Sequence, residues 1–336
     1  MITCQFVDGY APTLTLRETQ RAIKLVKDTF QKKLAAALNL ERVTAPVLVT
    51  AASGINDDLS GVERKVDFTI KSMDEAHAEV VQSLAKWKRV ALGRYGFGAG
   101  EGIYTDMNAI RRDDKMDNTH SIFVDQWDWE KVITAEDRTV AYLKETVRGI
   151  AKAVADTNRA LKEQFPQLTA DLREEVFFIT AQQLEDLYPD MDDKQREDAI
   201  TKEHRTVFIM GIGDKLTSGK PHDSRAPDYD DWTLNGDLLL WNDVLGHALE
   251  ISSMGFRVDA AALARQLEAA NATDRMRFPY HQGVADGTLP LTIGGGIGQS
   301  RLCMLMLQKA HVGEVQVSVW SDDMINACKE HNIPLL

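Results

Sequence analysis

The sequence contains only three cysteines among 336 residues, and Cys4, Cys303 and Cys328 lie far apart. An odd number of scattered cysteines argues against a disulfide framework and against a CxxC metal site. The longest uninterrupted apolar run, residues 302–307, is far shorter than the ~20 residues that a membrane-spanning helix needs. The first residues carry neither a basic nor an apolar segment, so we expect no secretory signal, no membrane partner and a cytoplasmic location.

Positive charge is also scarce, because 39 lysines and arginines face 51 aspartates and glutamates, for a formal net charge of −12. Nonspecific nucleic-acid binding relies on a basic surface, so no nucleic-acid partner is expected. An anionic substrate is still possible if a local basic cluster and a divalent cation receive it. Because no repeat or Gly/Ser/Pro-rich linker divides the chain, we expect a single domain over residues 1–336.

The hydrophobic patterns predict an α+β fold. Thr15 and Glu18 form a capping box at the start of an amphipathic helix over residues 15–40, and a second helix is predicted over residues 134–161. Asn235-Gly236 is typical of a hairpin turn and favours consecutive antiparallel pairing. We therefore expect a mostly antiparallel sheet flanked by helices. Strands are predicted at residues 43–49 (broken at Pro46), 66–70, 79–83, 121–127, 176–179, 207–210, 238–241, 249–254 and 291–293.

Common nucleotide and metal signatures do not fit. Residues 294–299 lack the last glycine of a dinucleotide fingerprint, and residues 213–221 have the wrong spacing for a P-loop. The eight histidines include no HExxH motif. A NAD enzyme, a P-loop NTPase and a zinc hydrolase are therefore each disfavoured.

Three other segments are rich in functional side chains. In residues 121–129, strand alternation places Gln126 and Asp128 on one face, although a purely structural strand anchored by its tryptophans explains the pattern equally well. Residues 228–237 hold four aspartates and are followed by a strand containing Glu250, a set that could hold Mg²⁺ or form an acidic surface loop. Residues 294–298 predict a glycine turn before a helix whose first turn carries Arg301, a cation placed to meet an anion or merely a surface arginine.

These segments carry a family resemblance. Residues 83–89, 124–130, 225–232 and 294–301 are similar to ammonia-dependent asparagine synthetases, and the similarity extends from about Thr15 to Trp320. The glycine-rich segment with Arg301 resembles motif 3 of class II aminoacyl-tRNA synthetases. The long helix and the strand broken at Pro46 resemble their motif 1, which forms a dimer interface in that family.

The resemblance implies a class II synthetase-like catalytic core that works as a homodimer. It implies that ATP, L-aspartate and ammonia are converted into L-asparagine, AMP and pyrophosphate through a β-aspartyl-adenylate, with Mg²⁺ as the cofactor. The implied catalytic residues are Arg111, Arg301 and Gln126. The implied aspartate-binding residues are Ser83, Lys88, Gln126 and Asp228. The implied ATP-binding residues are Arg111, His120, Ser121, Glu250, Ser253, Gly294, Gly295, Gly296 and Arg301, and the implied metal ligands are Asp237 and Glu250.

Two departures from the family pattern bear on this interpretation. Residues 51–54 carry no acid where members often have an aspartate near the substrate amino group, and the first acid is Asp57. Residues 232–235 are shorter than the equivalent family loop. An aspartyl- or asparaginyl-tRNA synthetase-like enzyme and a catalytically silent paralogue remain as alternatives. A glutamine-dependent synthetase is disfavoured because position 2 is Ile2 rather than a nucleophilic cysteine.

Overall fold

The computed structural model describes residues 4–59 and 63–336. Its strands are β1 (Leu40–Arg42), β2 (Leu48–Thr50), β3 (Asp67–Ile70), β4 (Ala76–Val80), β5 (Gly102–Ile110), β6 (Phe123–Val132), β7 (Phe177–Thr180), β8 (Thr206–Met210), β9 (Asp230–Asn242), β10 (His247–Arg257) and β11 (Thr292–Gly298). Its helices are α1 (Leu16–Leu38), α2 (Ala85–Tyr95), α3 (Val140–Gln164), α4 (Ala181–Leu187), α5 (Asp193–His204), α6 (Ala260–Ala269), α7 (Pro279–Ala285), α8 (Gln299–Met306) and α9 (Asp322–Glu330). Within these two ranges, no helix is long and apolar enough to cross a bilayer.

The large sheet is mixed, which corrects the expected mostly antiparallel sheet. Its strand order is β1-β5-β6-β11-β10-β9-β8-β7, and the pairs from β5 to β8 are antiparallel. Both edge pairs, β1 with β5 and β7 with β8, are parallel. A parallel pair needs a long crossover, and α4 and α5 provide it between β7 and β8. The sequence patterns did not predict α4 and α5, so the parallel pairing of β7 with β8 was not expected.

α1 covers one face of the sheet, and the helix starts at the predicted capping box. Thr15 Oγ1 accepts a hydrogen bond from the Glu18 N–H, and the Glu18 carboxylate accepts one from the Thr15 N–H. The stripe of Val26, Phe30, Leu34 and Leu38 is buried, as the three- and four-residue spacing predicts. The Phe30 ring lies 4.6 Å from the Trp127 ring, and Trp129 is also fully buried. The two tryptophans therefore anchor the core, and strand alternation places Gln126 and Asp128 on the opposite face.

The strand predicted over residues 43–49 is confirmed only from Leu48, because the chain changes sheets around Pro46, where the break was expected. β1 ends at Arg42 and β2 begins at Leu48, and β2 belongs to a separate three-stranded sheet of order β2-β4-β3. Proline has no N–H to donate to a strand ladder, which favours an interruption at this position. The segment therefore connects the edge of the large sheet to the small sheet.

Two predicted glycine turns lie inside strands instead. Asn235 and Gly236 are within β9, and the β9–β10 hairpin turn is at residues 243–246. A Cβ on Gly236 would overlap the Ile209 carbonyl oxygen, so a close neighbouring strand explains this glycine. β11 likewise continues to Gly298, and α8 begins at Gln299 with no intervening turn.

Candidate functional site

The sheet face opposite α1 has a floor made of glycine backbone. In β11, Gly294, Gly296 and Gly298 lie opposite Glu130, Asp128 and Gln126 of β6. A Cβ on Gly296 would overlap Gln126 Oε1, and one on Gly294 would overlap Glu130 Oε2. The absence of side chains at these three positions therefore lets the polar side chains of β6 lie across this face of β11, and leaves room above it.

A cleft of about 540 Å³ opens above the end of β11. The structure brings several of the predicted residues to its wall: Arg111, His120, Ser121, Gln126, Glu250, Gly296 and Arg301. Residues that the sequence did not single out also line it, including Asp117, Thr119, Asp125, Asp223, Ser224, Ser300 and Gln316. The other predicted residues, Ser83, Lys88, Asp228, Asp237, Ser253, Gly294 and Gly295, are not among the residues that form this wall.

Arg301 is oriented by a chain of hydrogen bonds at one end of the cleft. Its Nη1 donates to the Glu250 carbonyl oxygen at 3.0 Å, and its Nη2 lies 2.7 Å from His120 Nε2. Because a guanidinium can only donate, His120 Nε2 is the acceptor. The His120 Nδ1–H then donates to Asp117 at 2.9 Å. This chain holds the guanidinium on the cleft wall, where its charge can meet an anionic group.

Arg111 supplies a second cation to the wall. It directly follows β5, and its backbone N–H donates to the Ile122 carbonyl at 2.9 Å, which extends the pairing with β6. Its side-chain Nε donates to the Gln82 carbonyl at 3.3 Å. The Arg111 backbone is therefore tied to the residue before β6, and its guanidinium to the segment between β4 and α2.

A buried polar network supports the N-terminus of α8, and sequence patterns missed it. Asp125 accepts hydrogen bonds from the Ser300 N–H at 3.1 Å and the Ser300 Oγ at 2.9 Å. Gln316 Nε2 donates to Ser300 Oγ at 3.1 Å, and Ser121 Oγ donates to Gln316 Oε1 at 2.5 Å. The first N–H groups of a helix need hydrogen-bond acceptors, and an acidic side chain suits this position. The sequence does not show which distant residue accepts from the first turn of α8.

Asp237 and Glu250 form an acidic pair on adjacent strands. Asp237 is buried and forms an ion pair with Arg225, but its Oδ1 has no hydrogen-bonding partner within the described ranges. Burial raises the pKa of Asp237 to about 6, with Arg225 opposing the shift and the negative charge of Glu250 adding to it. The Glu250 carboxylate lies 3.8 Å from Arg301 Nη1. An unpartnered oxygen beside a second carboxylate is an arrangement that a hard cation can satisfy.

Lys88 contacts the sheet face that carries Asp128, but it is not among the residues that line the cleft. Its buried Nζ pairs with Asp128 and donates to the carbonyl oxygens of Trp129 at 3.0 Å and Gly295 at 3.1 Å. Burial lowers the pKa of Lys88, an effect that the Asp128 charge opposes. All three of its donors are thus engaged within the protein. Its contact with a substrate carboxylate stays a prediction.

An adjoining buried network holds β6, β10 and β11 together. Arg257 donates to Glu130 at 2.8–3.1 Å and also pairs with Asp230. Thr292 Oγ1 donates to Glu130 at 2.7 Å. Since each charged group here is nearly inaccessible, the network depends on every partner being present.

Asp228 and Ser83 lie outside the cleft wall. Asp228 is fully buried, and its Oδ2 accepts from Lys86 at 3.3 Å, Arg275 at 2.8 Å and His281 at 3.0 Å. Burial alone would raise the pKa of the Asp228 carboxyl, but the charges of Lys86 and Arg275 and the hydrogen bond from His281 hold it well below its usual value. Ser83 Oγ accepts from the Ala85 N–H at 3.1 Å, at the start of α2. The sequence predicted neither the three side chains that bind Asp228 nor this capping role.

Comparison with known proteins gives a consistent result. The model of the family described as aspartate-ammonia ligase matches residues 17–332. The aspartate--ammonia ligase of Clostridium perfringens is 56% identical over 328 residues, which cover 98% of each chain. That of Clostridium tetani is 57% identical over 327 residues, covering 97% of this chain and 96% of the relative.

Solved structures show the same fold at low sequence identity. The asparaginyl-tRNA synthetase of Pyrococcus horikoshii, crystallised with asparaginyl-adenylate, matches with a TM-score of 0.65 and 18% identity, over 89% of this chain and 68% of that chain. A putative aspartyl-tRNA synthetase of Leishmania major matches with a TM-score of 0.59 and 14% identity, over 90% of this chain and 64% of that chain. The fold is therefore that of the class II synthetase core.

Proposed function

Since the chain belongs to the aspartate–ammonia ligase family, an enzyme family, we propose that it forms L-asparagine from L-aspartate, ammonia and ATP. The observation that carries this proposal is the 56% identity to a named aspartate--ammonia ligase over 98% of both chains. The cleft supports it with Arg111, Arg301 and Glu250 on its wall, a set that suits a nucleoside triphosphate.

The chemistry requires two steps. A carboxylate is a poor electrophile, so its oxygen first attacks the α-phosphorus of ATP, and pyrophosphate leaves. The resulting β-aspartyl-adenylate has a good leaving group. Ammonia then attacks the carbonyl carbon, the C–O bond to AMP breaks, and the nitrogen loses a proton to give the amide. Each step builds negative charge on oxygen, which fixed cations and N–H donors stabilise.

The cleft residues divide these tasks by position. Arg111 is proposed to contact the α-phosphate as charge passes through it, and Arg301 the adenine or γ-phosphate end of ATP. His120, Ser121, Ser253 and the glycines 294–296 are proposed to complete the ATP site. Gln126, which lies on the cleft wall and reaches across Gly296, is proposed to contact the aspartate that is activated there. Ser83, Lys88 and Asp228 are proposed to complete the aspartate pocket.

The acidic pair fits Mg²⁺ bound together with ATP. Asp237 and Glu250 offer carboxylate oxygens, and Asp237 Oδ1 lacks a protein partner among the described residues. In the same part of the chain, no group of three or more His, Cys, Asp or Glu side chains is arranged to hold a metal. Two carboxylates plus substrate phosphates are the usual Mg²⁺ ligands, and the ion neutralises phosphate charge when bound. We therefore propose that both residues hold Mg²⁺ with ATP.

The affinity for magnesium-bound ATP should fall as the pH decreases through about 6, the pKa to which burial raises Asp237. A carboxyl group must lose its proton to bind a metal, so protons compete with Mg²⁺ below that pH. The KM for ATP at saturating Mg²⁺ should rise between pH 7 and pH 5. The Asp237→Asn variant should have a high KM at both pH values. A wild-type KM that does not change over this range would contradict the assignment.

We propose that the chain forms a homodimer through the segment that joins α1 to the small sheet. Val47 and Leu48 are large apolar residues there, with 52% and 46% of their surface exposed. Light scattering should give twice the 37.5 kDa chain mass, and Leu48→Asp should shift the protein toward the monomer. Leu187→Asp, at a similarly exposed leucine at the end of α4, is the matched control and should remain dimeric. A monomeric wild-type protein would refute the proposal.

The proposed activity is tested by measuring pyrophosphate, AMP and asparagine with ATP, Mg²⁺ and L-aspartate, with and without ammonium chloride. Asparagine that depends on ammonium and appears in step with AMP is the expected result. Aspartate-dependent pyrophosphate exchange without asparagine would indicate an adenylate-forming enzyme with another acceptor. No exchange at all would indicate a silent paralogue.

A further inference from the structure

Arg301 occupies a position in α8 that the helix itself does not favour. It is the third residue of the helix, after Gln299 and Ser300, and the preceding Gly298 has no side chain to cap the first turn. The first turn also contains no acidic residue, although the positive end of the helix dipole repels a cation there. Neighbouring elements must therefore hold this turn if Arg301 is to present its charge to the cleft.

An aspartate of β6 holds the second residue of α8. Asp125 accepts from the Ser300 N–H at 3.1 Å and from Ser300 Oγ at 2.9 Å. Lys27 Nζ of α1 donates to the same carboxylate at 3.2 Å. The Asp125 side chain is 9% exposed, whereas that of Lys27 is 34% exposed. The lysine therefore reaches from the surface of α1 to a nearly buried carboxylate and holds it against the first turn of α8.

A second aspartate, on β5, holds the first residue of α8. Asp106 Oδ1 accepts from Gln299 Nε2 at 2.9 Å. Its Oδ2 accepts from Arg42 of β1, from Nη2 at 2.6 Å and from Nε at 3.2 Å. Each of the two aspartates therefore bridges the first turn of α8 to one cation of α1 or β1.

The sheet register places both aspartates on the face that α1 covers. Asp106 lies opposite Trp127 in the β5–β6 pair, and Asp125 precedes Trp127 by two residues, so the three side chains share one face. Lys27 and Arg42 bind these aspartates, and neither cation is among the residues that line the cleft. The two cations therefore support the first turn of α8 from outside the cleft.

We propose that Lys27 and Arg42 are positioning residues for Arg301. They act through Asp125 and Asp106, which fix the first turn of α8 and thereby the start of the arginine side chain. Under the proposed function, on which this inference rests, that side chain meets the adenine or γ-phosphate end of ATP. A cation that is held in place before the nucleotide arrives loses less conformational freedom on binding. The network should therefore increase the affinity for ATP and leave the affinity for L-aspartate unchanged.

The lead test variant is Lys27→Met, which removes the ammonium group and keeps an unbranched apolar side chain. The Kd for ATP with Mg²⁺, measured by titration calorimetry without L-aspartate, should rise about 3- to 10-fold. The KM for ATP should rise by a similar factor, while kcat and the KM for L-aspartate should not change. Lys24→Met, about one helical turn earlier, is the matched control. Lys24 pairs with Asp28 on the exposed surface of α1, so this variant should bind ATP as the wild type does.

The contacts of Asp106 are tested separately. Asp106→Ala removes the acceptor of the buried Gln299 amide and should weaken ATP binding about 10-fold. Asp106→Asn keeps an oxygen acceptor for Gln299 and should recover most of the affinity. Arg42→Met should weaken binding only about 2- to 3-fold, because its side chain is 53% exposed. Arg173→Met, which breaks another exposed pair with Asp171, is the control and should bind ATP normally.

A double-mutant cycle with Arg301→Ala separates positioning from general destabilisation. If Lys27 acts through Arg301, Lys27→Met should weaken ATP binding in the wild-type background and have no further effect when residue 301 is already alanine. Equal losses in both backgrounds would overturn the proposal. So would a wild-type Kd for ATP in the folded Lys27→Met and Asp106→Ala variants, even if urea unfolding shows that they are less stable.

The binding measurement also distinguishes this inference from the proposed activity. Because neither aspartate nor ammonium is present, the cycle gives its result whether or not the protein forms asparagine. A wild-type protein that binds ATP but forms no asparagine would refute the activity alone. A wild-type protein that does not bind ATP would refute both the ATP site and the positioning role.

Discussion

Replacing Arg111 by alanine should lower kcat for asparagine formation by about 10²–10³-fold, with a smaller effect on the KM for L-aspartate. The expected reason is that negative charge develops on the α-phosphate oxygens as pyrophosphate leaves. The hydrogen bond of Nε to the Gln82 carbonyl and the backbone bond to Ile122 fix the guanidinium before the reaction. A preorganised cation stabilises that charge without reorientation during the reaction.

Two matched variants make this prediction specific. Arg112→Ala removes the same charge from the next residue, which is exposed and does not line the cleft, and should retain near-wild-type turnover. Arg111→Lys keeps the charge but loses the planar donor fork, so its rate should lie between those of the wild type and Arg111→Ala. Steady-state rates of AMP and asparagine formation measure all three. Equal losses in Arg111→Ala and Arg112→Ala would indicate a general field effect and not an α-phosphate contact.

The helices with a strong apolar stripe could be predicted from sequence. α1 and α3 each bury one face, so the spacing of their apolar residues is visible along the chain. The alternation in β6 also indicated correctly that Trp127 and Trp129 point away from Gln126 and Asp128. In each case the local spacing of apolar residues was enough to predict the element, because it places different residue types on its two faces.

Two elements that lack a one-sided apolar pattern, β5 and α2, were not predicted. β5 is buried along most of its length and shows no clean alternation, and the first turns of α2 bury lysine and arginine side chains rather than apolar ones. The glycines of β9 and β11 were interpreted as turns because glycine is common in turns. Their actual cause is the close approach of neighbouring strands, through the Ile209 carbonyl at Gly236 and the Glu130 and Gln126 side chains at β11, which only the sheet register reveals.

In the candidate site, too, local features could be predicted from the sequence, whereas contacts between distant residues could not. Arg111 and Arg301 were selected by local charge and by resemblance, Gln126 was selected by strand alternation and by resemblance, and the fold brings all three to one cleft. Lys88 was selected in the same way, yet its ammonium is held by groups 40 to 207 residues away in sequence. Residues that bind a buried charge from so far along the chain leave no pattern in the sequence around it.

Substituting Gly294 by alanine is the stability prediction with the largest expected effect. The new Cβ would overlap Glu130 Oε2 and lie 2.7 Å from Arg257 Nη2. Those atoms cannot easily move, because Glu130 also accepts from Thr292 and both charged side chains are buried. Overpacking and a displaced buried ion pair should together lower the free energy of unfolding by about 3 kcal/mol. Equilibrium urea unfolding followed by circular dichroism measures the difference.

Two other glycines distinguish this explanation from a general intolerance to substitution. Gly149 is helical, and an added Cβ would meet only ordinary contacts, the nearest at 3.6 Å, so Gly149→Ala should be neutral or stabilise by up to about 1 kcal/mol. Gly296→Ala would displace the half-buried end of Gln126 instead of an ion pair. It should therefore change substrate KM more than stability. If Gly294→Ala unfolds like the wild type, the Glu130–Arg257 pair must be able to shift, and the rigid glycine floor inferred from it would be wrong.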